Sequence, residues 1–167
     1  HTRCFLRQRL VDDLGRDSER GGAVGLADRD IAGDQEGAGH ARKTGDTIWP
    51  GRAYQSFKDA ANMTDRMAAL SALVNSGLPL ASDALARFHA LFKNEALVLD
   101  KWFALQASAT DYGGQVLPAV KQLLQHPDFQ LQNPNRARSV IFSYCNGNPG
   151  AFHRIDARGY LFWSDRV

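Results

Sequence analysis

The residues in this chain that invite chemistry are few, and one cluster stands apart: Asn133 to Ser139, reading NPNRARS. Asparagine followed by proline is a helix-start pattern. The asparagine side chain caps free backbone N–H groups, and the proline ring sits where its missing N–H costs nothing. Arg136 and Arg138 therefore fall close to a helix start, an end whose dipole does not favour a cation. Spare N–H groups and two guanidiniums together can hold a carboxylate or a phosphate. The plainer alternative is that both arginines are solvated or paired with aspartates.

Other reactive types are present without the spacing that chemistry requires. A zinc hydrolase motif of the H-E-x-x-H kind places two histidines one helical turn apart, with a carboxylate to handle the proton of a bound water. The five histidines are followed by Thr2, Ala41, Ala90, Pro127 and Arg154, so none opens that motif, and Glu95 is the only glutamate beyond Glu36. The expectation is no metal site within this chain. His89, beside Phe88 and Phe92, reads as a partly buried packing residue, and His126 and His153 as turn or helix-end residues. No G-x-S-x-G elbow occurs, and Cys145 among Phe142 and Tyr144 reads as a buried structural thiol. The pairs Gly21-Gly22 and Gly113-Gly114 lack the strand and lysine of a phosphate loop.

The elements that must position NPNRARS are legible from periodicity. The densest apolar stretch is Leu97 to Ala107, LVLDKWFALQA. Val98, Trp102 and Leu105 recur at helical spacing with Leu99 and Phe103 beside them, so the helix must sit between neighbours. Asn94 is expected to cap it, and only Asp100, Lys101 and Gln106 suit water. Before it, a short helix is expected around Tyr54 to Ala61. A helix capped by Asn62 carries Met63, Met67, Leu70 and Val74 and ends at Gly77 and Pro79. Another, capped by Ser82, carries Leu85, Phe88 and Phe92. After the polar run Ser108 to Gly114, Val116, Leu117, Val120 and Leu124 form a helix that tolerates Pro118 in its first turn and stops at Pro127. The NPNRARS helix turns Ala137, Val140, Ile141 and Tyr144 inward and ends at Gly147. Asn148-Pro149 opens another helix, and Gly159 to Trp163 begins a last apolar run. The fold class is all-α: an irregular α-solenoid or superhelix of antiparallel helix pairs.

Composition is that of an ordinary globular chain, with 167 residues, 44% apolar and 23% charged. A net charge of +2 is too mild to imply nucleic acid, and no stretch is long and apolar enough for a membrane span. No signal peptide is recognised, and Cys4 and Cys145 are too few for a disulfide framework, so a reducing, cytoplasmic setting is expected. Residues 1–52 differ from the rest. They are rich in Arg, Gly and Asp, with one helical pattern from Phe5 to Leu14, and are expected to be a disordered leader or a wrong-frame translation of a GC-rich gene. Residues 53–167 are expected to be the helical domain. The opening His1 suggests a fragment, a processed product or an incomplete gene, and flanking helices missing at both ends would leave apolar surface exposed.

Several strings in order resemble the C-terminal helical domain of bacterial aminopeptidase N, the alanyl aminopeptidase family of zinc metallopeptidases. They are NMTDRMAAL from Asn62, LVLDKWFALQ from Leu97, VLPAVKQLLQHP from Val116, Phe129 with NPNRARS from Asn133, NPGAFH from Asn148 and GYLF from Gly159. The resemblance implies a superhelix of paired helices that closes over an upstream catalytic domain and restricts entry to short peptides. It implies that zinc, its ligands and the G-x-M-E-N loop lie in that upstream domain, and no cofactor is expected in this chain. Arg138 is the position that the family's N-P-N-R-x-R motif sets on the substrate cavity, with Arg136 the lesser candidate. The partners implied are the catalytic domain and, through it, peptides. The alternatives from other classes are an independent α-solenoid that binds proteins or peptides on its concave face, and an anion- or nucleic-acid-binding module built on the two arginines.

Overall fold

A computed structural model describes Gly39 and residues 42–45 and 48–166. Among the described residues the chain is helical, with no strand. The order is α1 (Ile48–Asp59), α2 (Met63–Ser76), α3 (Leu80–Phe92), α4 (Ala96–Ala107), α5 (Val116–Leu123), α6 (Pro134–Ala137), a π-helical turn (Arg138–Phe142), α7 (Ser143–Gly147), α8 (Pro149–Phe152) and α9 (Arg158–Ser164). Most of the leader, including its helical run from Phe5 to Leu14, lies outside the described residues. The boundary expected at residue 52 falls inside α1, which starts at Ile48 and buries Pro50, Ala53 and Phe57.

The apolar stretch is the central strut. Helix α4 packs against α2, α3, α5, α6, the π turn and α7. It buries Leu99, Trp102, Phe103 and Ala107, and the Trp102 indole N–H donates to the Leu85 carbonyl at 3.1 Å. A helix so surrounded draws its stability from packing, since a twelve-residue helix alone is marginal in water. Two details run against the sequence reading. Leu97 is 72% exposed. Asp100, expected to face water, is drawn inside by a cationic partner whose guanidinium needs its charge.

Capping follows side-chain chemistry where a polar atom reaches an orphan N–H. Asn62 accepts from the Asp65 N–H at 2.8 Å, Asn133 accepts from Asn135 and Arg136, and Asn148 accepts from Ala151. Gly77 closes α2 with φ of 64°, the left-handed cap that glycine allows without strain. Two expected starts are corrected, and the start of a third helix is located. Ser82 lies inside α3, which begins at Leu80 after Pro79, and its hydroxyl donates to the Pro79 carbonyl instead of capping. Helix α4 begins after Glu95, one residue past Asn94 and without a side-chain cap. Helix α5 begins after Gln115, and its first N–H is satisfied by the Asp111 carboxylate at 3.2 Å.

The NPNRARS helix is continuous from Pro134 to Gly147 but widens in its middle. The Ser143 N–H reaches back to the Arg138 carbonyl, the longer spacing of a π turn. The Ser139 hydroxyl donates to the Arg136 carbonyl at 2.8 Å, satisfying an acceptor inside the helix. Val140 and Tyr144 face the core as expected, with Ile141 half-buried.

Candidate functional site

Arg136 and Arg138 are separated by two residues, about 200° around a helix, so one face cannot hold both. Arg136 points inward and is 5% exposed. Its Nε donates to Asp100 Oδ1 at 2.5 Å, one terminal nitrogen to the Asp128 carbonyl at 2.6 Å, and the other to the Ala96 carbonyl at 3.4 Å. The guanidinium also lies 5.0 Å from the Phe103 ring centroid. One side chain therefore ties the start of α6 to the first turn of α4 and to the α5–α6 connection. Its donors are committed within the fold. Arg138 is exposed, and among the described residues it carries no recorded ion pair.

Beside this buried pair is a cavity of about 260 Å³, lined by residues that include Lys93, Asn94, Asp128, Gln130 and Arg136. Asp128 also joins a cluster that linear spacing did not show. His89 comes from α3, and His126 and Asp128 from the connection after α5. One ligand-capable atom from each lies within 4.8 Å of the others. His89 Nε2 shares a proton with Asp128 Oδ2 at 2.6 Å, His126 Nδ1 stands 3.7 Å from the same oxygen, and the Asp128 backbone N–H donates to His126 Nδ1 at 3.1 Å. Trp102 packs on both imidazoles, with centroids at 5.1 and 5.4 Å. Burial lowers the His126 pKa, Asp128 opposes that shift, and His89 and Arg136 reinforce it. His89 is thus partly buried against Trp102 and hydrogen-bonded to Asp128.

The remaining reactive groups are structural in their surroundings. Cys145 is a free, buried thiol that burial pushes up to about 11, far from a reactive thiolate. His153 ends α8 and its Nδ1 meets the Tyr160 hydroxyl at 2.5 Å. Arg154 binds Asp111 at 3.1 Å, and that carboxylate also holds the start of α5.

The family profile described as "Domain of unknown function (DUF3458_C) ARM repeats" matches residues 39–167. The chain is 45% identical over 108 residues to aminopeptidase N of Escherichia coli strain K12, covering 65% of this chain and 12% of that protein. It is 42% identical over 109 residues to aminopeptidase N of Haemophilus influenzae, covering 65% of this chain and 12% of that one. A solved structure, titled as Legionella pneumophila aminopeptidase A in complex with aspartic acid, superposes with a TM-score of 0.66 at 32% identity, covering 71% of this chain and 14% of that chain. The chain thus spans about an eighth of the curated relatives' length, and the zinc-binding catalytic part of those enzymes lies outside the matched segment.

Proposed function

From the premise that the chain belongs to the DUF3458_C ARM-repeat family and matches the C-terminal helical region of aminopeptidase N, we propose that it caps a zinc aminopeptidase and limits which peptides reach the zinc. The cap role belongs to the whole enzyme, whose catalytic domain is the partner and whose zinc activates the attacking water. This chain brings no hydrolytic machinery of its own. Its contribution is a rigid, strut-centred wall with Arg138 presented from it. Arg136 is the positioning residue behind Arg138, holding the motif against α4. We place the chain in the cytoplasm, a setting compatible with the free thiol of Cys145.

The observation that carries this reading is the division of labour in the motif: one arginine buried and hydrogen-bonded within the fold through each of its three nitrogens, the other exposed. An exposed guanidinium suits a substrate carboxylate, and the Legionella neighbour was crystallised with an acidic amino acid. The exposed apolar residues Tyr160, Leu161 and Trp163 on α9 suit a chain that continues into further packed helices.

The test is a chimera in which residues 59–166 replace the matched segment of the Escherichia coli enzyme. Cleavage of tripeptides and of a long unstructured polypeptide is compared with that of the same enzyme lacking the segment. A cap predicts that removal raises the long-to-short ratio of kcat/KM. An unchanged ratio in a folded deletion variant contradicts it. The isolated chain should release no product from alanyl-p-nitroanilide, and clear turnover would overturn the reading.

A further inference from the structure

The cap reading does not use the cluster of His89, His126 and Asp128, and ring packing on the strut does not account for three ligand-capable atoms meeting within 4.8 Å. Two imidazoles and one carboxylate are the donor set of open, three-ligand transition-metal sites, in which water fills the remaining position. We propose that His89, His126 and Asp128 form a binding site for a divalent ion of the zinc or nickel class, one that clamps α3 to the connection after α5.

The geometry is close to what such an ion requires. Tetrahedral zinc with bonds of roughly 2.0–2.2 Å holds its ligand atoms about 3.3–3.6 Å apart. His126 Nδ1 and Asp128 Oδ2 stand at 3.7 Å and need only a small approach. His89 Nε2 and Asp128 Oδ2 stand at 2.6 Å because a proton lies between them, and the ion displaces that proton as the two atoms part. His126 Nδ1 accepts the Asp128 backbone N–H, so an ion bound through Nδ1 must displace that hydrogen bond and leave the amide to water.

Charge and access also agree. The nearby Arg136 cation is matched by Asp100, so the Asp128 carboxylate is left to face the ion. The side chains of His89, His126 and Asp128 retain 24%, 26% and 38% exposure, enough for entry and a bound water, while Trp102 and Phe103 wall the opposite side. These ligands come from segments 37 residues apart in sequence, His89 to His126, which is why no linear motif announced them.

The experiment is calorimetric titration of the full chain with zinc chloride at neutral pH, repeated on His89→Gln and Asp128→Asn. Both substitutions keep side-chain volume and a hydrogen-bonding group. Saturable binding, weakened by at least about 100-fold in each variant with circular dichroism unchanged, supports the site; that exceeds the roughly 10–100-fold typical of outer-sphere changes. Binding equal in wild type and variants places zinc on other residues and overturns the proposal, as does absence of binding. Should a variant fail to fold, cobalt(II) titration of the wild type followed by histidine ring resonances decides instead. Added cobalt(II) should shift or broaden the ring resonances of His89 and His126 before those of His153, and the reverse order refutes the site. Both readouts are independent of peptidase activity and of the cap reading.

Discussion

Replacing Asp100 by alanine isolates the tie that holds NPNRARS against the strut. The ion pair is inside the fold, with side-chain exposures of 6% for Arg136 and 15% for Asp100. Removing the carboxylate leaves the guanidinium with the Asp128 and Ala96 carbonyls, which accept hydrogen bonds but carry no charge. Breaking a buried pair by deleting one partner costs about 3–5 kcal/mol, and the two surviving carbonyls argue for the lower end, about 3 kcal/mol. Against a typical total of roughly 5–15 kcal/mol this is a large share. Urea unfolding followed by helical circular dichroism measures it, as a lower midpoint at unchanged slope. Because the pair is buried, the loss should be nearly insensitive to salt. The paired replacement Asp100→Leu with Arg136→Met should recover most of it, since apolar substitutes of similar volume are often neutral. A loss below about 1 kcal/mol, the value of a surface pair, would refute the claim that Arg136 is structurally committed.

Three further outcomes follow from the same geometry. Gly159→Ala should cost about 1–3 kcal/mol, because a Cβ there overlaps the Phe152 carbonyl, whereas Gly150→Ala meets open space and serves as the control in thermal melts. For His126, whose pKa burial lowers from 6.5, the unfolded chain takes up a proton before the folded one does. Stability is thus complete above 6.5 and falls as pH drops below it; His126→Gln should flatten that part of the urea-midpoint profile, and parallel profiles would contradict the assignment. With its thiol pushed up to about 11, Cys145 in the native chain should alkylate on the order of 100-fold more slowly than in urea, read by peptide mapping that separates it from Cys4.

Much of the fold was legible because helix signals are local. Asn62, Asn133 and Asn148 cap as their chemistry dictates, and the apolar density of Leu97 to Ala107 marked the strut that other helices surround. Ser82 and Asn94 misled because a capping residue type also occurs one or two positions from a start that proline or a tight turn has already set. The site was less legible. Arg136, Val140 and Tyr144 recur every four residues, and that stripe already sets Arg136 inward and Arg138 outward. Its acidic partner, 36 residues away on the strut, is a tertiary fact that no local pattern contains. The same holds for His89 with Asp128, 39 residues apart, where the sequence offered only a histidine on an apolar helix.

The most direct test of the central claim, that this domain presents Arg138 to peptides while Arg136 only positions it, is the KM of Arg138→Ala in the Escherichia coli chimera. A ligand-side arginine predicts KM raised by about tenfold, equivalent to roughly 1.4 kcal/mol of lost binding, with kcat and the melting temperature little changed. A KM equal to that of the parent chimera would contradict the account.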